Sequence, residues 1–141
     1  MKVATWQGGN RFSVDDVPEP VPGSGQVLVE VRTAGICGTD VHATQGLFPW
    51  RPPLVMGHEY TGEIVDVGPR VPKSLIGRSV ACEPSWGCGD CPECRVKRVS
   101  HCPQIRRAGG FSERVVLPTT AVHALPVAER LHMNPKKGAN A

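Results

Sequence analysis

Val27-Leu28-Val29-Glu30-Val31-Arg32 joins β-branched residues to partial alternation, the pattern of a strand with one face on a core. Pro18, Pro20, Pro22 and Gly23 precede it and make a stiff, turn-rich approach. Residues 61–67 repeat the pattern with Ile64, Val65 and Val67 among polar residues, and Gly68-Pro69 ends the run. Residues 78–81 form another short strand, which leads into a cysteine-rich segment. Residues 111–117 and 121–125 are two more, separated by a Pro118-Thr119-Thr120 turn. Helix is scarce, the best candidate being a turn or two after Cys37. The 16 Gly and 14 Pro are spread along the whole chain, which suits short strands and many turns. The prediction is a mainly β fold, a partly open barrel with a cysteine-rich lobe.

At 141 residues the chain is the size of one domain with a real core. The domain is expected over 1–125, with a metal-bearing lobe at 82–102. Residues 126–141 hold Ala128, Leu131 and Met133 without sustained periodicity, and predict a short polar tail, disordered beyond a short helix at most. No βαβ pattern and no Gly-x-Gly-x-x-Gly fingerprint occurs, so no Rossmann domain is expected in this chain.

Hydrophobic residues make up 40% and charged residues 21%, a balance typical of water-soluble domains. No apolar run approaches the roughly 18 residues of a membrane span. The N-terminus lacks the apolar core of a secretory signal, and the cytoplasm is the expected compartment. Net charge is +3. The densest basic stretch, Arg95, Lys97, Arg98, Arg106 and Arg107, has no interleaved aromatic residues to stack bases, and reads as a solvated face in preference to a nucleic-acid site.

Four of the six cysteines, Cys88, Cys91, Cys94 and Cys102, are spaced C-x2-C-x2-C-x7-C. A tetrahedral Zn²⁺ takes four soft donors at about 2.3 Å, and short C-x2-C spacings let tight turns point thiolates inward. Gly87, Gly89 and Pro92 favour such turns. With every coordination position filled by protein, this site reads as structural. Iron is a chemical alternative, and disulfides would require strained local bridges. Cys82 lies outside the cluster and reads as a buried free thiol.

Two further segments carry chemistry: Gly35-Ile36-Cys37-Gly38-Thr39-Asp40-Val41-His42 and Gly57-His58-Glu59-Tyr60. Cys37 and His58 pair a soft with a borderline donor, a combination suited to zinc. In sequence order, these segments and the cysteine run resemble the zinc-dependent medium-chain alcohol dehydrogenases, particularly the threonine and polyol dehydrogenase branch, over residues 1–125. That resemblance implies a GroES-like N-terminal barrel, followed in the family by a dinucleotide-binding Rossmann domain. It implies that Cys37 and His58 are catalytic zinc ligands and that Cys88, Cys91, Cys94 and Cys102 hold a structural zinc. It further implies that Thr39 accepts the substrate's proton and that His42 relays it outward through the cofactor ribose. Asp40 would orient the ligand histidine, and Glu59 would lie near the metal and adjust its coordination.

The family's third catalytic ligand, a Cys or Glu, would lie beyond the end of this chain. Glu129 and His132 are the in-chain substitutes, without supporting spacing. Gly38 is usual in the polyol-like branch, and the 103–108 stretch is shorter than in many relatives. Phe48 and Trp50 are read either as substrate-pocket walls or as packing. The resemblance implies an alcohol or polyol dehydrogenase domain using NAD or NADP only in a complete enzyme, and inactive alone. The implied partners are a small alcohol or polyol, and a Rossmann-domain polypeptide or a second copy of the chain. The alternative is a free-standing, non-enzymatic zinc module that binds a partner protein.

Overall fold

The computed structural model describes residues 1–126 of the chain. In chain order these form β1 (Lys2–Gly8), β2 (Arg11–Asp16), β3 (Gln26–Gly35), α1 (Gly38–Thr44), β4 (Leu54–Val55) and β5 (Glu59–Val67). Then follow β6 (Ser79–Cys82), β7 (Ser85–Trp86), α2 (Pro92–Arg95), β8 (Arg106–Arg107), β9 (Arg114–Pro118) and β10 (Val122–Ala124). The tail expected at 126–141, with Glu129 and His132, falls outside the described residues after Pro126.

The strand read from Val27 lies inside the main sheet, whose order is β10-β6-β5-β3-β9, all antiparallel. Val27 and Val29 are fully buried and pack with Tyr60, Ile64, Val80, Val115 and Leu117 in the main core. The β3–β5 register slips between Leu28 and Val29 and again between Val31 and Thr33. Such bulges bend a strand and increase its twist, which curls the sheet. A second sheet, β2-β1-β4, joins it through a Val3–Ser112 bridge and a 2.8 Å bond from the Ala4 N–H to the Phe111 carbonyl. The outcome is the mainly β, partly open barrel that the strand pattern predicts.

Two differences from the sequence reading have local causes. The N-terminal hairpin β1–β2 was not anticipated. Its buried residues Val3 and Trp6 are three apart, out of step with strand alternation, and the ladder is irregular between Trp6 and Gly8. The strand expected at 111–117 is divided: Phe111 and Glu113 bond to β1, while Arg114–Pro118 pairs with β3 and the Glu113 carbonyl also accepts the Val31 N–H. A smaller core of Trp6, Ala43 and Met56, flanked by Trp50, Leu54 and Phe111, wedges α1 against β1. No helix among the described residues is long and apolar enough to cross a membrane.

Candidate metal centres

The β7–β8 ladder pairs Ser85 with Arg107 and Trp86 with Arg106, closing the neck of an excursion that carries the clustered cysteines. Cys91 stands at the N-terminus of α2 and Cys94 within it, and Cys102 follows a short 3-10 turn. All four sulfurs lie within 4.8 Å of one another, and none is in a disulfide. The Cys91 and Cys102 Sγ atoms are 3.9 Å apart. A tetrahedron of sulfurs at about 2.3 Å from its centre has edges of about 3.8 Å, whereas a disulfide closes to about 2.05 Å. The spacing therefore suits a common ion.

Backbone N–H groups already point at these sulfurs, from Cys88 to Cys102 Sγ and from Cys94 to Cys91 Sγ, each at 3.4 Å. The Cys88 thiol is pulled down to about 6 by the N–H groups of Asp90 and Cys91. Cys94 has a Gly89 N–H drawing it down, but burial and the neighbouring sulfurs of Cys91, Cys102 and Cys88 push it up to about 12. Packed thiols resist joint ionisation until a cation compensates them, and a divalent metal supplies that charge. Gly87 is required here for space, since a Cβ at this position would collide with Cys94 Sγ.

The second centre joins the start of α1 to the start of β5. Cys37 is the N-cap of α1, and Asp40 Oδ2 accepts the Cys37 backbone N–H at 2.9 Å. Asp40 is only 3% exposed. Its other oxygen, Oδ1, faces His58 Nδ1 at 3.5 Å, and both atoms are buried without another partner. One carboxylate thus addresses the backbone of one candidate ligand and the ring of the other. With Nδ1 turned to Asp40, Nε2 is the nitrogen left free for a metal. Cys37, His58 and Glu59 each bring a donor atom within 4.8 Å of the others. The sequence reading set Glu59 near the metal, and the geometry brings its carboxylate into ligand range.

Thr39 Oγ1 lies 3.8 Å from Cys37 Sγ. His42 follows three residues later on the exposed side of α1, the spacing at which helix side chains neighbour one another. Gly57, with φ +85°, turns the chain into His58 against the Phe111 ring, where a Cβ would clash.

A cavity of about 600 Å³ opens beside His58. Phe48 and Trp50 line it, and Trp50 stands edge-on to Phe48 at 4.9 Å and to His58 at 6.0 Å between ring centroids. Trp50 also packs on the smaller core, so it lines the cavity and fills the core at once. Arg51 and Arg107 line the same cavity, and neither was singled out from sequence as a cleft residue. Cys82 is a half-buried free thiol whose pKa burial raises to about 11. It sits opposite Tyr60 in the β5–β6 ladder, and the Tyr60 hydroxyl is raised by burial and then by Cys82.

Residues 23–127 match the alcohol dehydrogenase GroES-like domain family. The chain belongs to that family. Among its alcohol dehydrogenase relatives, the chain is 34% identical over 130 residues to the sorbitol dehydrogenase of Halalkalibacterium halodurans, covering 88% of this chain and 38% of that protein. It is 42% identical over 126 residues to the L-threonine 3-dehydrogenase of Streptomyces coelicolor, covering 79% and 36% respectively. The solved alcohol dehydrogenase rspB of E. coli CFT073, complexed with NADH, superposes with a TM-score of 0.82 at 35% identity, over 91% of this chain and 39% of that one. The chain therefore spans well under half the length of these relatives.

Proposed function

We propose that this chain is the zinc-binding catalytic domain of an NAD(P)-dependent dehydrogenase that converts an alcohol, polyol or threonine-type hydroxyl to a carbonyl by hydride transfer. The observation that carries this reading is the convergence of Cys37, His58 and Glu59, with Asp40 buried behind the first two. The domain occupies 1–125, and its 82–102 lobe holds a structural zinc on Cys88, Cys91, Cys94 and Cys102.

The donor sets fit zinc in both places. Four thiolates leave no open position, whereas Cys37 and His58, with Glu59 as a third donor in place of the one expected beyond this chain, leave one for a substrate. When bound there, zinc supplies Lewis acidity towards a substrate hydroxyl. Asp40 fixes the His58 tautomer and, through the Cys37 N–H, the approach of the thiolate. Thr39, half-buried beside Cys37, takes the hydroxyl proton, and His42 at the exposed end passes it to solvent or to the cofactor ribose. Trp50, edge-on to the His58 ring, limits its swing away from the cleft.

Among the described residues no βαβ unit is present to seat a dinucleotide. Hydride acceptance then belongs to another part of the protein or to another polypeptide, and the isolated chain should not turn over. Ile36, Val41 and Leu47 are exposed apolar residues in and around α1, which suits a face covered by such a nucleotide-binding unit. The same face is what a stand-alone zinc module would offer to a partner protein.

Elemental analysis of protein purified without added metal is the test. About two zinc ions per chain are expected, falling to about one in Cys37→Ser and separately in Cys94→Ser. Zinc content unaffected by Cys37→Ser would refute the catalytic centre. Robust turnover of the isolated chain with NAD⁺ or NADP⁺ would refute its inactivity.

A further inference from the structure

The cavity beside His58 is walled by segments far apart in sequence, 48–58 on one side and 84–85 with 105–109 on the other. Its lining is apolar except at few points, and the charged residues among these are both arginines, Arg51 and Arg107. No carboxylate lines the cavity, and no Asp or Glu among the described residues lies within salt-bridge distance of either guanidinium. The other arginines that hold ion pairs, Arg32, Arg98 and Arg114, have glutamate partners outside this cavity. A zinc ion on Cys37 and Glu59 would have its charge balanced by one thiolate and one carboxylate. The arginines would then be the uncompensated charge of the cleft.

Guanidinium groups donate in a fixed fork that matches carboxylate and phosphate oxygens. Both arginines are exposed, so their pull on an anion is greatest at low ionic strength. An uncharged alcohol gives these groups nothing to neutralise, whereas an anionic group on the substrate gives each a partner. We infer that the substrate is a hydroxy compound carrying an anionic head group, a carboxylate or a phosphate, held by Arg51 and Arg107 while its hydroxyl faces the Cys37–His58–Glu59 centre. The inference rests on the dehydrogenase reading above and narrows its substrate class.

The test is calorimetric titration of the zinc-loaded chain at low ionic strength with erythronate, erythritol phosphate and erythritol. These probes share a carbon chain and differ in head group. Each anion, or whichever of the two is the right head group, should bind at least about tenfold tighter than erythritol. The tighter of the two anions identifies the head group. In Arg51→Gln/Arg107→Gln the advantage should shrink to within about twofold, while Lys73→Gln/Arg78→Gln, which removes equal charge away from the cleft, should retain it. Equal binding of erythritol and both anions would overturn the inference. So would an anion advantage that survives in the double arginine variant, since it would then belong to the metal. Zinc content of Cys37→Ser, measured separately, tells whether the dehydrogenase reading has failed instead.

Discussion

Replacing Asp40 by Asn changes the candidate catalytic centre at a single atom while keeping its volume. Both carboxylate oxygens are engaged, Oδ2 by the Cys37 N–H at 2.9 Å and Oδ1 facing His58 Nδ1 at 3.5 Å. An amide has one acceptor for these two donors. If its oxygen keeps the Cys37 N–H, its NH₂ meets the imidazole N–H, and the ring must move its proton to Nε2, the nitrogen needed for coordination. Removing such an outer partner of a metal ligand typically costs 10–100-fold in affinity, or about 1.4–2.8 kcal/mol. If the amide turns the other way, the helix loses its cap instead, at a cost of about 0.5–2 kcal/mol of stability. Competition with a chromophoric chelator would read the zinc affinity of the second site after the four-cysteine site is filled. Asp40→Asn should weaken the second site alone, by about tenfold or more. Affinity within about twofold of the parent, with unchanged unfolding stability, would refute the reasoning.

Gly87→Ala should eject zinc from the cysteine lobe, because the new methyl group would occupy the space of Cys94 Sγ; zinc per chain should fall by about one and the lobe should become protease-sensitive. Met56→Ala hollows out the small core that holds α1 and should cost about 2–5 kcal/mol in urea unfolding, with weaker metal retention at Cys37 and His58. Cys82 is held neutral by burial, with a pKa near 11 against an ordinary value of 9.0. Its contribution to stability is full below pH 9 and declines as the pH rises towards 11, so the urea midpoint should fall across that window and fall less in Cys82→Ala.

The central strand and its neighbours were legible because β-branched residues alternate at Val27, Val29 and Val31, although Leu28 on the other face is buried as well. The β1–β2 hairpin was not, since Phe12 and Val14 alternate outward on an edge strand and remain exposed. The cysteine lobe was readable from spacing alone, because its four thiols are close in sequence. Cys37 and His58 were readable only together with Asp40, Glu59 and their glycines, whose resemblance to a known family supplied the pairing. The reach of the Glu59 carboxylate depends on the turn at Gly57. Arg51 and Arg107 could not be joined by any local pattern, because the cavity they share is assembled by tertiary packing.

The β7–β8 ladder belongs to two neighbourhoods at once. On one side it pinches off the loop gripped by four sulfurs, and on the other Ser85 and Arg107 form part of the wall beside His58. Under the proposed reading, stripping zinc from the four cysteines would therefore slacken that wall without touching Cys37, His58 or Glu59. A complete enzyme of the kind proposed would then keep its Cys37–His58–Glu59 centre and lose its discrimination, accepting ill-fitting molecules that the braced form turns away.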